Sequence, residues 1–152
     1  MRNSVDSILI YSLQFHYLDQ QSQLTKKIKD MLKIMDDLHG NVLGVSAEGK
    51  ITGTDYETVL IPAIEERLKA NKKIRMLYHL GSNFTGFDIS AMLDDAKMGM
   101  RHLSAWERIA LVSDHEMINT FAKFFGYMLS CELRIFKNAE LEEAKTWITD
   151  KQ

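Results

Sequence analysis

The feature that most constrains this chain is an alternation between two hydrophobic periods. Short segments with the period of a β-strand are followed by longer segments whose apolar residues recur at helical spacing. The strand-like segments are MLKIMDDL (31–38), NVLGVSAEG (41–49), KIRMLYHL (73–80), RIALVS (108–113) and CELRIF (131–136). The order β-β-α-β-α-β-α-β-α predicts an α/β fold with a mainly parallel five-stranded sheet, entered by a hairpin, and about four helices.

The first predicted helix contains the only proline of the chain, Pro62. Thr54 and Glu57 have the spacing of a capping box, so the helix is expected to begin near Asp55. Pro62 then falls about two turns inside the helix, where it cannot donate a backbone hydrogen bond and its ring crowds the preceding turn. We therefore expect the helix to bend or restart at Pro62.

The other predicted helices have clear stripes or end signals. Ser113 and Glu116 form a second possible capping box, for a third helix that Gly126 would end. Asn138 is expected to cap the fourth helix. The second helix has the most regular apolar stripe, which consists of Ile89, Met92, Leu93, Ala96, Met100 and Leu103.

Residues 1–30 differ in pattern from the rest of the chain. Their apolar residues alternate with the period of a strand, at Leu9, Tyr11, Leu13, Phe15 and Tyr17. A polar, linker-like segment, DQQSQLTKKIKD (19–30), follows. We interpret 1–30 as an N-terminal extension and 31–152 as the domain. The extension is expected to be either an extra edge strand or docking arm, or a weakly ordered segment preceding a true start at Met31.

Charge and cysteine content exclude several classes of partner. The formal net charge is −2, without a basic block to neutralise phosphates, so nucleic acid is not expected to bind. Cys131 is the only cysteine, which rules out an internal disulfide and fits a cytoplasmic protein. The N-terminal apolar run is interrupted by polar residues and is too short for an integral membrane segment.

Familiar catalytic patterns do not occur in the sequence. It contains no nucleophile elbow, Walker loop, zinc-binding HExxH or dinucleotide-binding glycine pattern. Neither a metal nor a cofactor is therefore predicted, and an enzyme is the less favoured interpretation. His79 and His102 could still meet in space, but the five histidines are scattered along the chain, at His16, His39, His79, His102 and His115.

Two groups of charged residues invite a catalytic hypothesis but have simpler explanations. Asp94 and Asp95 lie opposite the apolar stripe of the second helix, which is where any surface helix carries charges. Asp114, His115 and Glu116 precede or begin the third helix, whose first turn favours acidic side chains electrostatically. We predict no catalytic residue in either group.

Aromatic side chains are concentrated between residues 84 and 128. Phe121 and Phe125 lie on the helical stripe that we expect to face the core. Phe84 and Phe87 belong to a predicted glycine-bracketed loop, GSNFTGFD (81–88), while Phe124 and Tyr127 flank the stripe. One face of a sheet cannot bury all of them, so some are expected to line a groove or an oligomer contact.

The element order and the segments GKITGTDYETVLIPAIEE, GFDISAMLDDAK, RHLSAWERIALVSD and ELRIF resemble the SpoIIAA-like branch of the STAS proteins, a group of small bacterial domains. The resemblance extends from Met31 to Ile148. It implies a STAS fold, and its relation to the CRAL-TRIO lipid-transfer fold implies an apolar ligand. STAS anti-sigma-factor antagonists carry a phosphorylated serine at the start of the corresponding second helix. This chain has Asp88, Ile89 and Ser90 there, without the Asp-Ser-Ser-Gly pattern.

These observations predict a non-catalytic, regulatory cytoplasmic module that binds a partner protein or a lipid-like small molecule and forms a homo-oligomer, expected to be a dimer. The alternative is a small enzyme or a nucleotide or anion binder that uses a pocket at the start of the second helix. The residues expected to bind the ligand or partner are Phe84, Phe87, Asp88, Ser90, Phe124 and Tyr127.

Overall fold

Residues 3–31 form one long helix, α1 (Asn3–Met31), in the computed structural model, which describes residues 3–88 and 104–151. The prediction of a strand between Leu9 and Tyr17 is therefore wrong. No glycine or proline occurs before Gly40, so nothing in the local sequence interrupts a helix once it has started. By its internal contacts the chain divides into two units, residues 1–30 and residues 31–152.

We propose that residues 31–152 fold without the extension, as the change in sequence pattern near residue 30 predicts. Deleting residues 1–30 is expected to shift the thermal midpoint (Tm) by less than about 2 °C. A matched deletion of residues 1–34 also removes β1 and the fully buried Leu32, and should lower Tm by more than about 8 °C. Equal losses in the two deletions, measured by circular dichroism, would contradict the proposal.

The second unit is built on a five-stranded mixed sheet. The first pair of strands is antiparallel, as the predicted hairpin requires, and the remaining pairs are parallel. This arrangement confirms the predicted fold class. In their order across the sheet, the strands are β1 (Leu32–Ile34), β2 (Val42–Ile51), β3 (Ile74–Phe87), β4 (Trp106–Val112) and β5 (Glu132–Phe136).

Helices cover both faces of this sheet. Helix α2 (Ile61–Ala70) connects β2 to β3 and helix α3 (Glu116–Gly126) connects β4 to β5. Right-handed crossovers place both on the same face, where Met76, Tyr78 and Leu80 belong to the larger hydrophobic cluster. Helix α4 (Leu141–Thr149), preceded by a 3-10 turn (Asn138–Glu140), covers the other face.

The chain enters α2 through a π-helical segment, Tyr56–Leu60. A single helical turn, Gly53–Asp55, precedes this segment, and its capping box uses Thr52 and Asp55, so the predicted box at Thr54 and Glu57 is displaced by two residues. Pro62 lies in the first turn of α2, directly after the π-type hydrogen bond from the Ile61 N–H to the Tyr56 carbonyl, so its missing N–H falls where the hydrogen-bond pattern changes. The change from π- to α-geometry at Ile61 is the predicted restart and explains how the proline is accommodated.

Strand β3 is longer than the sequence predicts. The segment 81–87, predicted as a loop between glycines, continues the strand and pairs with β2 as far as Phe87. A Cβ atom at Gly81 would meet the carboxylate of Glu48, so glycine lets that side chain lie close against the strand. Gly86 has φ of +146°, which only glycine adopts readily. Both glycines therefore lie within an irregular part of β3 and do not mark a loop.

Two buried arginines hold the C-terminal end of α4 against the sheet. The guanidinium of Arg75, at the start of β3, forms a bidentate ion pair with Glu107 at 3.0 and 3.1 Å. It also donates to the carbonyl oxygens of Ile148 and Asp150. Arg108, at the start of β4, donates to the Trp147 carbonyl at 3.2 Å. Positive charge at a helix C-terminus compensates the exposed carbonyls and the helix dipole.

Candidate functional site

Helix α3 carries an apolar stripe that faces away from the core. Its side chains are spaced four, three and four residues apart, and we call them the outer stripe: Met117 (88% exposed), Phe121 (64%), Phe124 (67%) and Met128 (68%). Met128 lies just beyond the helix. The residues that pack against the core, Ile118 and Ala122, are each one position further along, which turns them by about 100° on a helix. The helix therefore has two apolar sides, of which only one is covered.

The prediction that Phe121 and Phe125 face the core is wrong, whereas Ile118 and Ala122 on the same predicted helix do pack against it. Phe121 and Phe125 remain exposed, and no residue of α3 is fully buried. Their rings contact each other, with centroids 4.7 Å apart, and the Phe124 ring meets Phe125 edge-on at 6.5 Å. With two apolar stripes on one helix, helical periodicity alone does not determine which of them packs on the sheet.

A groove runs between the C-terminal half of α3 and the edge strand β5. Its volume is about 380 Å³, and the residues that line it are Lys123, Gly126, Tyr127, Leu133, Arg134 and Ile135. Tyr127 is 91% exposed, so its ring forms an open wall. The side chain of Leu133 lies against Gly126, where a Cβ atom would be only 2.9 Å from Leu133 Cδ2. Gly126 therefore allows close packing between the helix and β5.

Phe84 and Phe87 lie elsewhere, at the carboxyl end of β3. Phe84 is 4% exposed and packs against Phe87 at 4.9 Å and the His115 ring at 5.1 Å, within the larger hydrophobic cluster, and its role in binding stays a prediction. Phe87 is half-buried. Asp88 follows it, with its backbone N–H bonded to Ile51 and a carboxylate oxygen 4.0 Å from Lys50 Nζ. Ser90, like the whole predicted second helix, lies outside the described residues.

The predicted site residues therefore fall into two groups. Phe84 contacts His115, directly before the first residue of α3, whereas Phe124 and Tyr127 lie at the opposite end of that helix. Eleven residues of α-helix span about 16 Å. The two groups therefore lie at opposite ends of α3, and the apolar surface at its C-terminal end is the more exposed of the two.

Polar side chains occupy the carboxyl ends of β3, β4 and β5. Asp114 accepts a hydrogen bond from the Asn138 backbone at 3.0 Å, and so orders the start of the final helical segment. Ser113 is buried and accepts from the His115 N–H at 3.0 Å, so it forms a turn rather than the predicted capping box. Burial lowers the pKa of His79, despite the opposing effect of Glu48. These contacts give Asp114 and Ser113 structural roles.

Two tyrosines and one aspartate form a second polar group, inside the core. The hydroxyls of Tyr56 and Tyr78 are 3.3 Å apart, and Asp55 is buried with one carboxylate oxygen bound to Thr52. Burial raises the pKa of both Tyr56 and Tyr78 above 10.0, so their hydroxyls stay protonated at neutral pH. In that state they can donate hydrogen bonds but cannot act as bases.

Two further properties concern the described part of the chain only. Within residues 3–88 and 104–151, no group of three or more His, Cys, Asp or Glu side chains is placed to hold a metal ion. None of the described helices is both long enough and apolar enough to cross a lipid bilayer.

Comparison with known proteins identifies the family. The SpoIIAA-like family profile matches residues 42–149, which is most of the chain. The chain belongs to the SpoIIAA-like family. The SpoIIAA-like fold also appears in a solved neighbour, an uncharacterized protein of the DUF3478 family from Shewanella loihica PV-4. The two are 23% identical with a TM-score of 0.63, over 77% of this chain and 93% of the neighbour. No curated protein sequence matches this chain significantly.

The resemblance inferred from sequence is thus confirmed for family and fold, whereas the predicted binding residues remain predictions. Sequence reasoning singled out Phe124 and Tyr127 but missed the groove residues Lys123, Leu133 and Ile135. The signal for the outer stripe was present, since positions 117, 121, 124 and 128 have the alternating four-three spacing of a helix–helix seam.

Proposed function

We propose that this SpoIIAA-like protein is a non-catalytic, regulatory module of the cytoplasm that binds a helical segment of a partner protein on the outer stripe of α3. The observation that carries the proposal is the exposure of four large apolar side chains, three on α3 and one directly after it. Contiguous apolar surface of this kind is costly to leave in water and is typical of interaction sites.

The spacing of the outer stripe favours a helix as the bound segment. Apolar side chains four, three and four residues apart form a narrow seam of knobs that fit the holes on a facing helix. The seam itself is uncharged, and the one basic residue of α3, Lys123, belongs to the groove side instead. A membrane surface would favour several basic residues beside the seam, so a protein partner suits this helix better.

The shape of the surface also favours a protein over an apolar small molecule. Small-molecule sites are concave and bury about 70–90% of their ligand. The outer stripe is a convex helix surface, and the groove beside it is open. The other alternative, an enzyme or anion binder, depends on Ser90 outside the described residues, and no contact of the described residues favours it.

The proposal predicts that Phe124→Asp weakens partner binding at least tenfold, because a buried aromatic anchor at a helical interface contributes about 2 kcal/mol or more. Partners are first captured from the source cell with the wild-type protein and identified by mass spectrometry. Affinities are then measured by calorimetry with a synthetic peptide of the captured helix. Thr120→Asp, which adds the same charge to an exposed position of α3, is the matched control.

Phe124 is exposed, so the Phe124→Asp fold should remain intact by circular dichroism. Oxidative footprinting provides an independent check, since Met117 and Met128 should react fully in the free protein and be protected by the peptide. Equal affinity of both variants, or protection of both methionines before any peptide is added, would contradict the proposal.

A further inference from the structure

Strand β5 is the last strand of the sheet and pairs on one side only, with β4, among the described residues. Its other side presents backbone N–H and C=O groups along the edge. Such an edge is a template for another strand, and natural proteins cover or charge it. Beside this edge lies the groove that contains Tyr127, Leu133 and Ile135.

The charged side chains of β5 are complementary to those of a second copy of the strand that runs antiparallel to it. Glu132 and Arg134 lie on the face toward α4, are each 51% exposed, and pair with each other at 3.3 Å. Leu133 and Ile135 lie on the opposite face, toward α3. When a second copy of the strand is placed antiparallel with Leu133 opposite Leu133, Glu132 of each copy faces Arg134 of the other. Opposite charges in directly facing positions stabilise a sheet.

We propose that two copies of the protein form a symmetric dimer by antiparallel pairing of their β5 strands, centred on Leu133. This isologous contact joins the two sheets edge to edge. Neighbouring registers centred on Glu132 or Arg134 would place two like charges opposite each other, so the charge pattern selects the register centred on Leu133. The contact uses β5 and its groove, and is separate from the outer stripe of α3.

The groove adds apolar surface to this backbone pairing. The two-fold axis brings both grooves to the same side of the joined sheet, so the Leu133 and Tyr127 side chains of each copy approach those of the other. A strand of five residues with these flanking side chains buries less than about 1,200 Å² in total, which is the range of weak, reversible interfaces. The dimer is therefore expected to dissociate on dilution.

Charge reversal on β5 tests the contact. In Glu132→Arg each facing pair becomes two arginines, and in Arg134→Glu it becomes two glutamates. Each variant is expected to raise the dimer dissociation constant at least tenfold, measured by sedimentation across a dilution series. Mixing equal amounts of the two variants restores opposite charges in both facing pairs, so the mixture should recover the dimer.

The same variants also need a control for loss of folding. Glu132 also lies 3.7 Å from Arg108, so Glu132→Arg affects stability and its Tm must be measured beside Arg134→Glu. A cross-link gives a second readout: Leu133→Cys in a Cys131→Ser background should form a disulfide between copies under mild oxidation, faster than Glu65→Cys, at an exposed position of α2, in the same background. A wild-type monomer at all concentrations, a dimer that neither variant weakens, or a mixture that stays monomeric would each overturn the proposal.

Discussion

Replacing Arg75 with alanine is expected to lower the free energy of unfolding by about 3 kcal/mol, the scale found when one partner of a buried ion pair is removed. Arg75 is 7% exposed, and an alanine side chain cannot replace the polar contacts that its guanidinium makes. The substitution leaves the carbonyls of Ile148 and Asp150 without their donor and breaks the bidentate pair with Glu107. Partial exposure of Glu107, 39% for its side chain, limits the loss because water can solvate the freed carboxylate.

Urea denaturation gives the measurement, with Lys69→Ala as the matched control. Lys69 also forms an ion pair, at 2.6 Å from Glu66, but both side chains are more than 70% exposed. Exposed pairs contribute about 0–1 kcal/mol, so this control should be nearly neutral. Similar losses in Arg75→Ala and Lys69→Ala would show that Arg75 does not hold α4 on the sheet.

The Arg75 contact also predicts a pH dependence. The hydrogen bond from Arg75 lowers the pKa of Glu107 below its ordinary 4.5 in the folded protein. A lowered folded pKa stabilises the protein above 4.5, and this contribution is lost as pH falls through the folded pKa. The difference in stability between wild type and Arg75→Ala should therefore narrow as pH is lowered from 6 to below 4.5.

Replacing Leu77 with alanine is expected to lower the free energy of unfolding by about 2–5 kcal/mol. Leu77 is fully buried at the centre of β3, on the face that α4 covers. It lies opposite Gly44 in the register with β2, so the directly facing residue has no side chain to fill the cavity. The same cluster contains Ala144 and Ile148, which attach α4 to the sheet.

Met117→Ala removes a similar apolar volume from an exposed position and is the control for Leu77→Ala. Its effect should stay within about 0.5 kcal/mol, because no cavity forms at a solvated site. Comparable losses for both variants would mean that the outer stripe is packed as tightly as the core, which would also count against its role as a binding surface.

Sequence patterns predicted the sheet and its family because the hydrophobic period of each segment, and the order of the segments along the chain, can be read from the sequence itself. The strand β4 and the end of α3 at Gly126 lie where they were expected. The start of the first predicted helix was placed two residues too late, because Thr52–Asp55 and Thr54–Glu57 overlap as capping signals. The two signals can be told apart only by knowing where the preceding strand, β2, ends, which is at Ile51.

The site was harder to predict because exposure depends on distant parts of the chain. Phe84 was assigned to a loop because two glycines flank it, although they allow close approach and irregular backbone within β3. Phe121 was assigned to the core because it lies on an apolar stripe, and a helix with two such stripes gives no local signal for the buried one. The groove combines α3 with β5, a pairing of elements that no single segment reveals.

The order of the strands has a consequence for where this fold can bind. In open α/β sheets, ligands usually occupy a crevice at a topological switch point, where two adjacent crossovers leave for opposite faces of the sheet. Strands β2 to β5 follow one another in chain order, so the crossovers between them all step the same way. The described sheet therefore opens no such crevice at its carboxyl edge, which is why the two binding surfaces that we propose use the outward side of a helix and the free flank of the last strand instead.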